Sequence, residues 1–264
     1  DLNGSTLEIN LPRSQADVSF NQKIVASKLL KSGLGTLRLL GPVTAGSEHV
    51  ISNIDILEGK LVLQEGVGLN SSKITFCTFN VAVACPGSSP TLELFSNANS
   101  AQFNGTIDLA GDGVLKLAGL TNWTLATDFN SVGKNLKIDQ PSGGDLTITG
   151  LIGNDARPET VTVYTAGQLT LGAASSIKTT GDIALAAGGG FQNLSPSSTV
   201  LDPELGRWVI WSGNSDPENP TTGDNFGALS PDRTFPGVPL QQVSGLAEYA
   251  LGNLAFYEVG IPVS

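Results

Sequence analysis

A five-residue unit recurs along the chain, a glycine followed by residues that alternate between polar and apolar. It reads Gly35-Thr36-Leu37-Arg38-Leu39, Gly59-Lys60-Leu61-Val62-Leu63, Gly113-Val114-Leu115-Lys116-Leu117, Gly144-Asp145-Leu146-Thr147-Ile148, Gly167-Gln168-Leu169-Thr170-Leu171 and Gly181-Asp182-Ile183-Ala184-Leu185. A turn residue followed by period-two alternation marks a half-buried strand. The same alternation runs through Leu7-Glu8-Ile9-Asn10-Leu11, Leu92-Glu93-Leu94 and Ile107-Asp108-Leu109.

The spacings between the glycines are 24 (35 to 59), 31 (113 to 144), 23 (144 to 167) and 14 (167 to 181). A loose period in the low twenties predicts a solenoid in which each repeat supplies one coil. Three strands of about 5–6 residues and three turns fit that length. Coils stack at about 4.8 Å, so residues 1–190 predict about eight coils and roughly 40 Å of parallel β-helix. Inward Leu, Ile, Val and Ala form ladders, while Thr, Ser, Asn, Lys and Asp face water. A β-sandwich or jelly roll also offers short strands at turn intervals of about 8–12 residues. The repeated glycine-led unit favours the solenoid.

Composition agrees. Glycine is 32 of 264 residues and charged residues are 14% of the chain, against averages of about 7% and about 25%. Few charges suit stacked coils, because like charges one rung apart repel. The formal net charge of −10 excludes a phosphate backbone as an electrostatic partner, so no nucleic acid is expected. No apolar run approaches the ~18 residues of a membrane helix. Methionine is absent, even at position 1, which reads as a processed or excised piece with any export signal upstream.

The character of the chain changes near residue 190. Pro217, Pro220, Pro231, Pro236 and Pro239 crowd a stretch rich in Asp, Asn and Gly, where regular strand is disfavoured. Val243, Leu246, Ala247, Ala250 and Leu251 follow helical spacing and precede Gly252, predicting one short helix. The expected organisation is coils over 1–190, then terminal strands, a long irregular loop and a short helix over 191–264.

The terminal region carries a resemblance. Gly181-Asp182-Ile183-Ala184-Leu185-Ala186-Ala187-Gly188-Gly189-Gly190-Phe191 is followed by Gly206-Arg207-Trp208-Val209-Ile210-Trp211-Ser212, by Asp216-Pro217, and by Gly227-Ala228-Leu229. Gly252-Asn253-Leu254-Ala255-Phe256-Tyr257 closes the series. This segment, about 181–260, resembles a recurrent stretch of filamentous-haemagglutinin-like adhesins, the exoproteins of two-partner secretion, with Trp211 where that family has Tyr. The resemblance implies a right-handed parallel β-helix and a secreted or bacterial cell-surface location. It implies export through an outer-membrane transporter and a non-enzymatic role in adhesion to a host or neighbouring-cell glycan or protein. It carries no catalytic residues.

Candidate chemistry is sparse. His49 is the one histidine and has no evident triad partner. Cys77 and Cys85 are the two cysteines; in an exported chain they fit a disulfide, the alternative being buried thiols. Parallel β-helix lyases and hydrolases set Asp, Lys and Arg across neighbouring coils. The candidates for that alternative function are Asp108, Asp112, Asp139 and Asp145 with Lys116, Lys134, Lys137 and Arg157, which otherwise read as a solvated strand face and turn carboxylates. Gly111-Asp112-Gly113 and Gly223-Asp224-Asn225 read as turns rather than calcium loops. Trp208, Trp211, Phe226, Tyr249, Phe256 and Tyr257 cluster late in the chain. They form either packing for the loop and helix or an aromatic binding platform. By strand alternation, one of the two tryptophans points inward and the other outward or under the loop. Open strand edges at the ends of a solenoid also predict end-to-end self-association.

Overall fold

The computed structural model describes residues 2–41, 49–64, 73–77, 89–131, 133–213, 224–236 and 252–257. Among them the chain is all-β and winds through about nine turns of a parallel β-helix. The first three coils contribute β1 (Leu2–Asn10) and β2 (Asp17–Phe20), β3 (Val25–Ser32) and β4 (Thr36–Leu39), then β5 (Val50–Ile56) and β6 (Lys60–Gln64). Five three-stranded coils follow. They are β7 (Lys73–Phe76), β8 (Thr91–Phe95) and β9 (Ser100–Phe103); β10 (Thr106–Leu109), β11 (Gly113–Ala118) and β12 (Asn122–Leu125); and β13 (Asp128–Ser131), β14 (Leu136–Gln140) and β15 (Leu146–Ile148). Next come β16 (Leu151–Ile152), β17 (Val161–Thr165) and β18 (Gln168–Leu171), then β19 (Ser176–Thr179), β20 (Ile183–Ala187) and β21 (Gly190–Asn193). A ninth coil holds β22 (Leu201–Pro203) and β23 (Trp208–Ser212), and β24 (Arg233–Pro236) and β25 (Leu254–Tyr257) are the last of the described strands.

Strands of equal phase stack into three parallel sheets. The first runs from β1 to β22, the second from β2 through β23 to β25 and β24, and the third from β9 to β21. Period-two alternation becomes columns once coils stack in register. On the first sheet, Leu7, Leu29, Ile54, Ile74, Ile107, Phe129, Ile152, Ile177 and Leu201 lie one above the other. On the second sheet the inward column is Val18, Leu37, Leu61, Leu92, Leu115, Ile138, Val163, Leu185, Ile210 and Ala255. The third contributes Ala101, Trp123, Leu146, Leu169 and Phe191. These columns make one continuous core. Each fully buried Leu, Ile or Phe is worth about 1.5–3 kcal/mol of burial.

The expected change of organisation near residue 190 falls at the start of β21, and the columns run on through Leu201 and Ile210. The expected helix over 243–251 lies outside the described residues.

Glycine is required where coils touch at corners. Gly59 has φ +71°, and a Cβ there would collide with the carbonyl oxygens of Gly33 and Gly35 in the coil before it. Gly167 needs no special φ, but its Cβ would strike the Gly144 carbonyl. Glycine serves there by being small.

Two interior features break the apolar rule. Lys31 occupies an inward position between Ile9 and Ile56 and is fully buried. Its ammonium donates to the carbonyl oxygens of Ser32 (3.0 Å), Gly33 (2.5 Å) and Glu58 (3.0 Å). Burial pulls its pKa down to about 8. At the corner between the second and third sheets, buried polar groups satisfy one another from rung to rung. Thr121 Oγ1 donates to the Ser96 carbonyl (2.9 Å), Gln140 Nε2 donates to the Thr121 carbonyl (3.0 Å), and Thr165 Oγ1 lies 3.3 Å from Gln140 Oε1. A buried polar column of this kind is stable because its members are paired.

Candidate functional site

Charge on the outer faces is arranged in columns as well. On the first sheet Asp55, Thr75 and Asp108 stack in one outward column, and Lys28, Asn53 and Lys73 stack in the next. The lysines reach diagonally: Lys28 Nζ lies 2.5 Å from Asp55 Oδ2, and Lys73 Nζ lies 2.6 Å from Asp108 Oδ2. Both carboxylates face outward, yet they are only 6% and 9% exposed. Asn130 Nδ2 adds a long bond to Asp108 Oδ1 at 3.4 Å.

The second sheet repeats the device. Glu93, 7% exposed, sits between Lys60 (2.6 Å) and Lys116 (3.6 Å). Towards the first coil, Arg38 forks onto both carboxylate oxygens of Asp17 at 2.9–3.0 Å. That hydrogen bonding holds the Asp17 carboxyl below its ordinary range and raises Arg38. Asp139 lies 3.8 Å from the half-exposed Lys137, a pair worth little in water.

Turn carboxylates have a different task. Asp112 Oδ1 accepts the Asn135 amide, Asp128 Oδ1 the Leu151 amide and Asp182 Oδ1 the Arg207 amide, at 2.9–3.0 Å. Asn122 accepts the Asp145 amide at 2.8 Å, and Asp145 accepts the Gln168 amide at 2.9 Å. Each side chain thus fixes the start of the strand one rung on, as Asp and Asn do at turns. Arg157 staples three coils, donating to the Thr179 carbonyl (3.2 Å) and to Asp202 Oδ2 (2.8 Å).

The carboxylates and cations singled out in the sequence are therefore spread over the faces and corners. Asp108 lies on the first sheet, Lys116, Lys137 and Asp139 on the second, and Asp112, Asp145, Lys134 and Arg157 in or beside turns. Asp224 stands next to the parallel bridge between Asn225 and Gln192, and accepts the Phe191 amide (2.7 Å) and the Ser212 hydroxyl (2.9 Å). Among the described residues no group of three or more His, Cys, Asp or Glu gathers as a metal site would require.

The aromatic residues sort by face. Trp208 stacks with Ile183 in the core, and Trp211 stacks with Ala186 and Phe256 in the outward column. Both tryptophans and Phe256 are buried. Phe226 packs on Phe191 with ring centroids 5.4 Å apart. These four rings pack against neighbours. Tyr249 and the Tyr257 side chain lie outside the described residues. Cys77 is disulfide-bonded and has φ +65°; Cys85, the other cysteine of the chain, lies outside the described residues.

Sequence reasoning missed Lys31, the anchoring role of His49, and the charge pairs Lys28–Asp55, Lys73–Asp108, Lys60–Glu93 and Arg38–Asp17. His49 is buried, with Nδ1 accepting the Ile24 amide (3.1 Å) and Nε2 facing the Leu40 carbonyl (3.1 Å). A lysine at an inward position of Lys28-Leu29-Leu30-Lys31 was the available signal for the first.

Fold and surface together define a β-solenoid in which the buried outward carboxylates Asp55, Glu93 and Asp108 each pair with a lysine. Comparison with protein families, with curated proteins and with solved structures gives no match.

Proposed function

We propose that this chain is a non-enzymatic rod, a segment of a secreted or cell-surface adhesin or filament that presents its turns to a glycan or protein on a host or neighbouring cell. The observation that carries the reading is the pairing of the buried outward carboxylates. Asp55, Asp108 and Glu93 each hold a lysine, so their chemistry is spent on joining rungs. Support also comes from the resemblance of residues 181–260 to filamentous-haemagglutinin-like adhesins, with export through an outer-membrane transporter following from it. The Gly181-led segment enters β20, and the Trp208–Ser212 and Leu254–Tyr257 segments are stacked strands.

One observation favours a second reading, a polysaccharide lyase or hydrolase. Asp55 and Asp108 share a column with Thr75 between them. Two rungs put them about 10 Å apart, just above the carboxylate spacing of about 6.5–9.5 Å in inverting glycosidases.

Purified chain applied to immobilised glycans and to cultured cells, with parallel turnover assays on acidic and neutral polysaccharides, tests the proposal. Retention without depolymerisation is expected. Depolymerisation that disappears in Asp108→Asn would replace the adhesin reading with the enzymatic one.

A further inference from the structure

The rungs of the second sheet follow chain order from β2 to β23, and then the order breaks. β25 lies between β23 and β24 and runs parallel to both, although β24 precedes it in the chain. A solenoid wound in sequence would set β24 directly on β23; the later strand holds that berth instead. β24 nevertheless matches it. Val209, Leu254 and Arg233 share one register position, Ile210, Ala255 and Thr234 the next, then Trp211, Phe256 and Phe235, then Ser212, Tyr257 and Pro236. Either strand thus sets a phenylalanine at the Trp211 position and a small residue at that of Ile210. The residues just ahead of the two strands match as well. Asn253 Oδ1 accepts the Trp208 amide at 3.0 Å, and the Asn253 amide donates to Asp232 Oδ2 at 2.6 Å. Asp232 has the register position of Asn253 and offers the same kind of acceptor. β25 is the better occupant: Leu254, Ala255 and Phe256 are fully buried, where β24 would bring Arg233, Thr234 and Phe235.

We propose that β23 is a berth with two alternative occupants: β25 fills it in the ground state, and when β25 withdraws, β24 moves inward by one rung and takes its place. The Trp208 amide then passes from Asn253 to Asp232. In neither state is the backbone ladder of β23 left open, so the two states lie closer in free energy than a sheet with and without an ordinary inner strand. Two packings of one sequence with a small gap between them make a switch. The exchange frees Leu254–Tyr257 as an extended apolar segment, of the kind that adds to the edge of another sheet, while β24 keeps Ile210 covered.

The test uses the full chain with two engineered cysteine pairs under mild oxidation, read by peptide mass spectrometry. A disulfide needs Cα atoms about 4.4–6.8 Å apart, and one rung is about 4.8 Å. Ile210→Cys with Ala255→Cys therefore bonds only when β25 holds the berth, and Ile210→Cys with Thr234→Cys only when β24 does. Both bonds are expected to form within single chains in native buffer. The second should form roughly 10- to 1,000-fold more slowly, in proportion to a minor state of about 0.1–10%. Adding Asn253→Ala should speed it about twofold to tenfold, the worth of one hydrogen bond. In the wild type, amide hydrogens of β25 should exchange faster than those of β23, although β25 is flanked by strands on both sides. Failure of the 210–234 bond to form without denaturant would overturn the proposal. So would β25 amides as protected as those of β23, or a 210–255 bond that joins two chains, which would mean strand swapping between copies.

Discussion

The imidazole of His49 accepts the Ile24 backbone N–H at Nδ1, 3.1 Å away, and its Nε2 faces the Leu40 carbonyl at 3.1 Å. This pattern requires the neutral ring with its proton on Nε2. A protonated ring would point N–H at N–H. Burial accordingly holds the His49 pKa below 6.5, although the Leu40 hydrogen bond works the other way. As pH falls below 6.5 the unfolded chain takes up a proton that the folded chain refuses, so stability is lost from that point down to the folded pKa. Urea midpoints measured from pH 7.5 to 5 should fall, and the fall should be smaller in His49→Gln.

Lys31 gives the same sign in a higher window. Its folded pKa of about 8 lies below the ordinary 10.5, so between these values the unfolded chain holds more protons and stability rises with pH. Denaturation at pH 7.5, 9 and 10 should show that rise in the wild type and a flat line in Lys31→Met. A wild type that loses stability over this range would mean that the three carbonyls hold the ammonium more firmly than burial opposes it.

Phe129 stands between Ile107 and Ile152 in the first sheet's inward column and is fully buried. Phe129→Ala should cost about 3–5 kcal/mol, since the rungs above and below are fixed and the space cannot collapse. Phe129→Leu should cost clearly less. Equal, small losses in chemical denaturation would show a core looser than stacked columns imply.

Lys73→Met should leave Asp108 largely buried without its cation. The expected loss is about 1–3 kcal/mol, below that of a fully buried pair because Lys73 is half-exposed and water already shares its charge. Adding Asp108→Asn should restore most of it, and a double-mutant cycle reads the coupling directly.

Gly167→Ala should destabilise although its backbone tolerates a side chain, because the added methyl meets the Gly144 carbonyl one rung away. Gly133→Ala, with open space around the same atom, isolates the cost of a positive φ (+62° there) from that of a clash. Thermal melts of the two variants separate the effects.

The coil was legible in the sequence because glycine-led alternation survives stacking unchanged. The uneven glycine spacing has a structural cause. Gly35, Gly59 and Gly181 precede strands of the second sheet and Gly113 opens one, while Gly144 and Gly167 precede strands of the third. Steps of 24 and 23 therefore stay on one face, while 31 and 14 pass from one face to another. The charge pairs were not legible. Lys73 and Asp108 are far apart in sequence, and only the register of Ile74 with Ile107 brings them together. Lys31 was masked by its own chemistry, since a lysine is read as a surface residue until the carbonyls around it are seen. The aromatic cluster was visible as composition, but the burial of Trp208, Trp211 and Phe256 depends on packing that strand alternation does not encode.

Asp145 takes its place from Asn122 and gives one to Gln168. Where such a handover operates, a strand begins where the preceding turn says it begins, however many residues lie between. The first sheet shows the same freedom from counting: Ile74 finds its partner at Ile107 after 33 residues, and Ile107 finds Phe129 after 22. A molecule made on this principle can be lengthened by duplicating a turn of itself, and can host a long insertion at a corner, without rewriting what comes after.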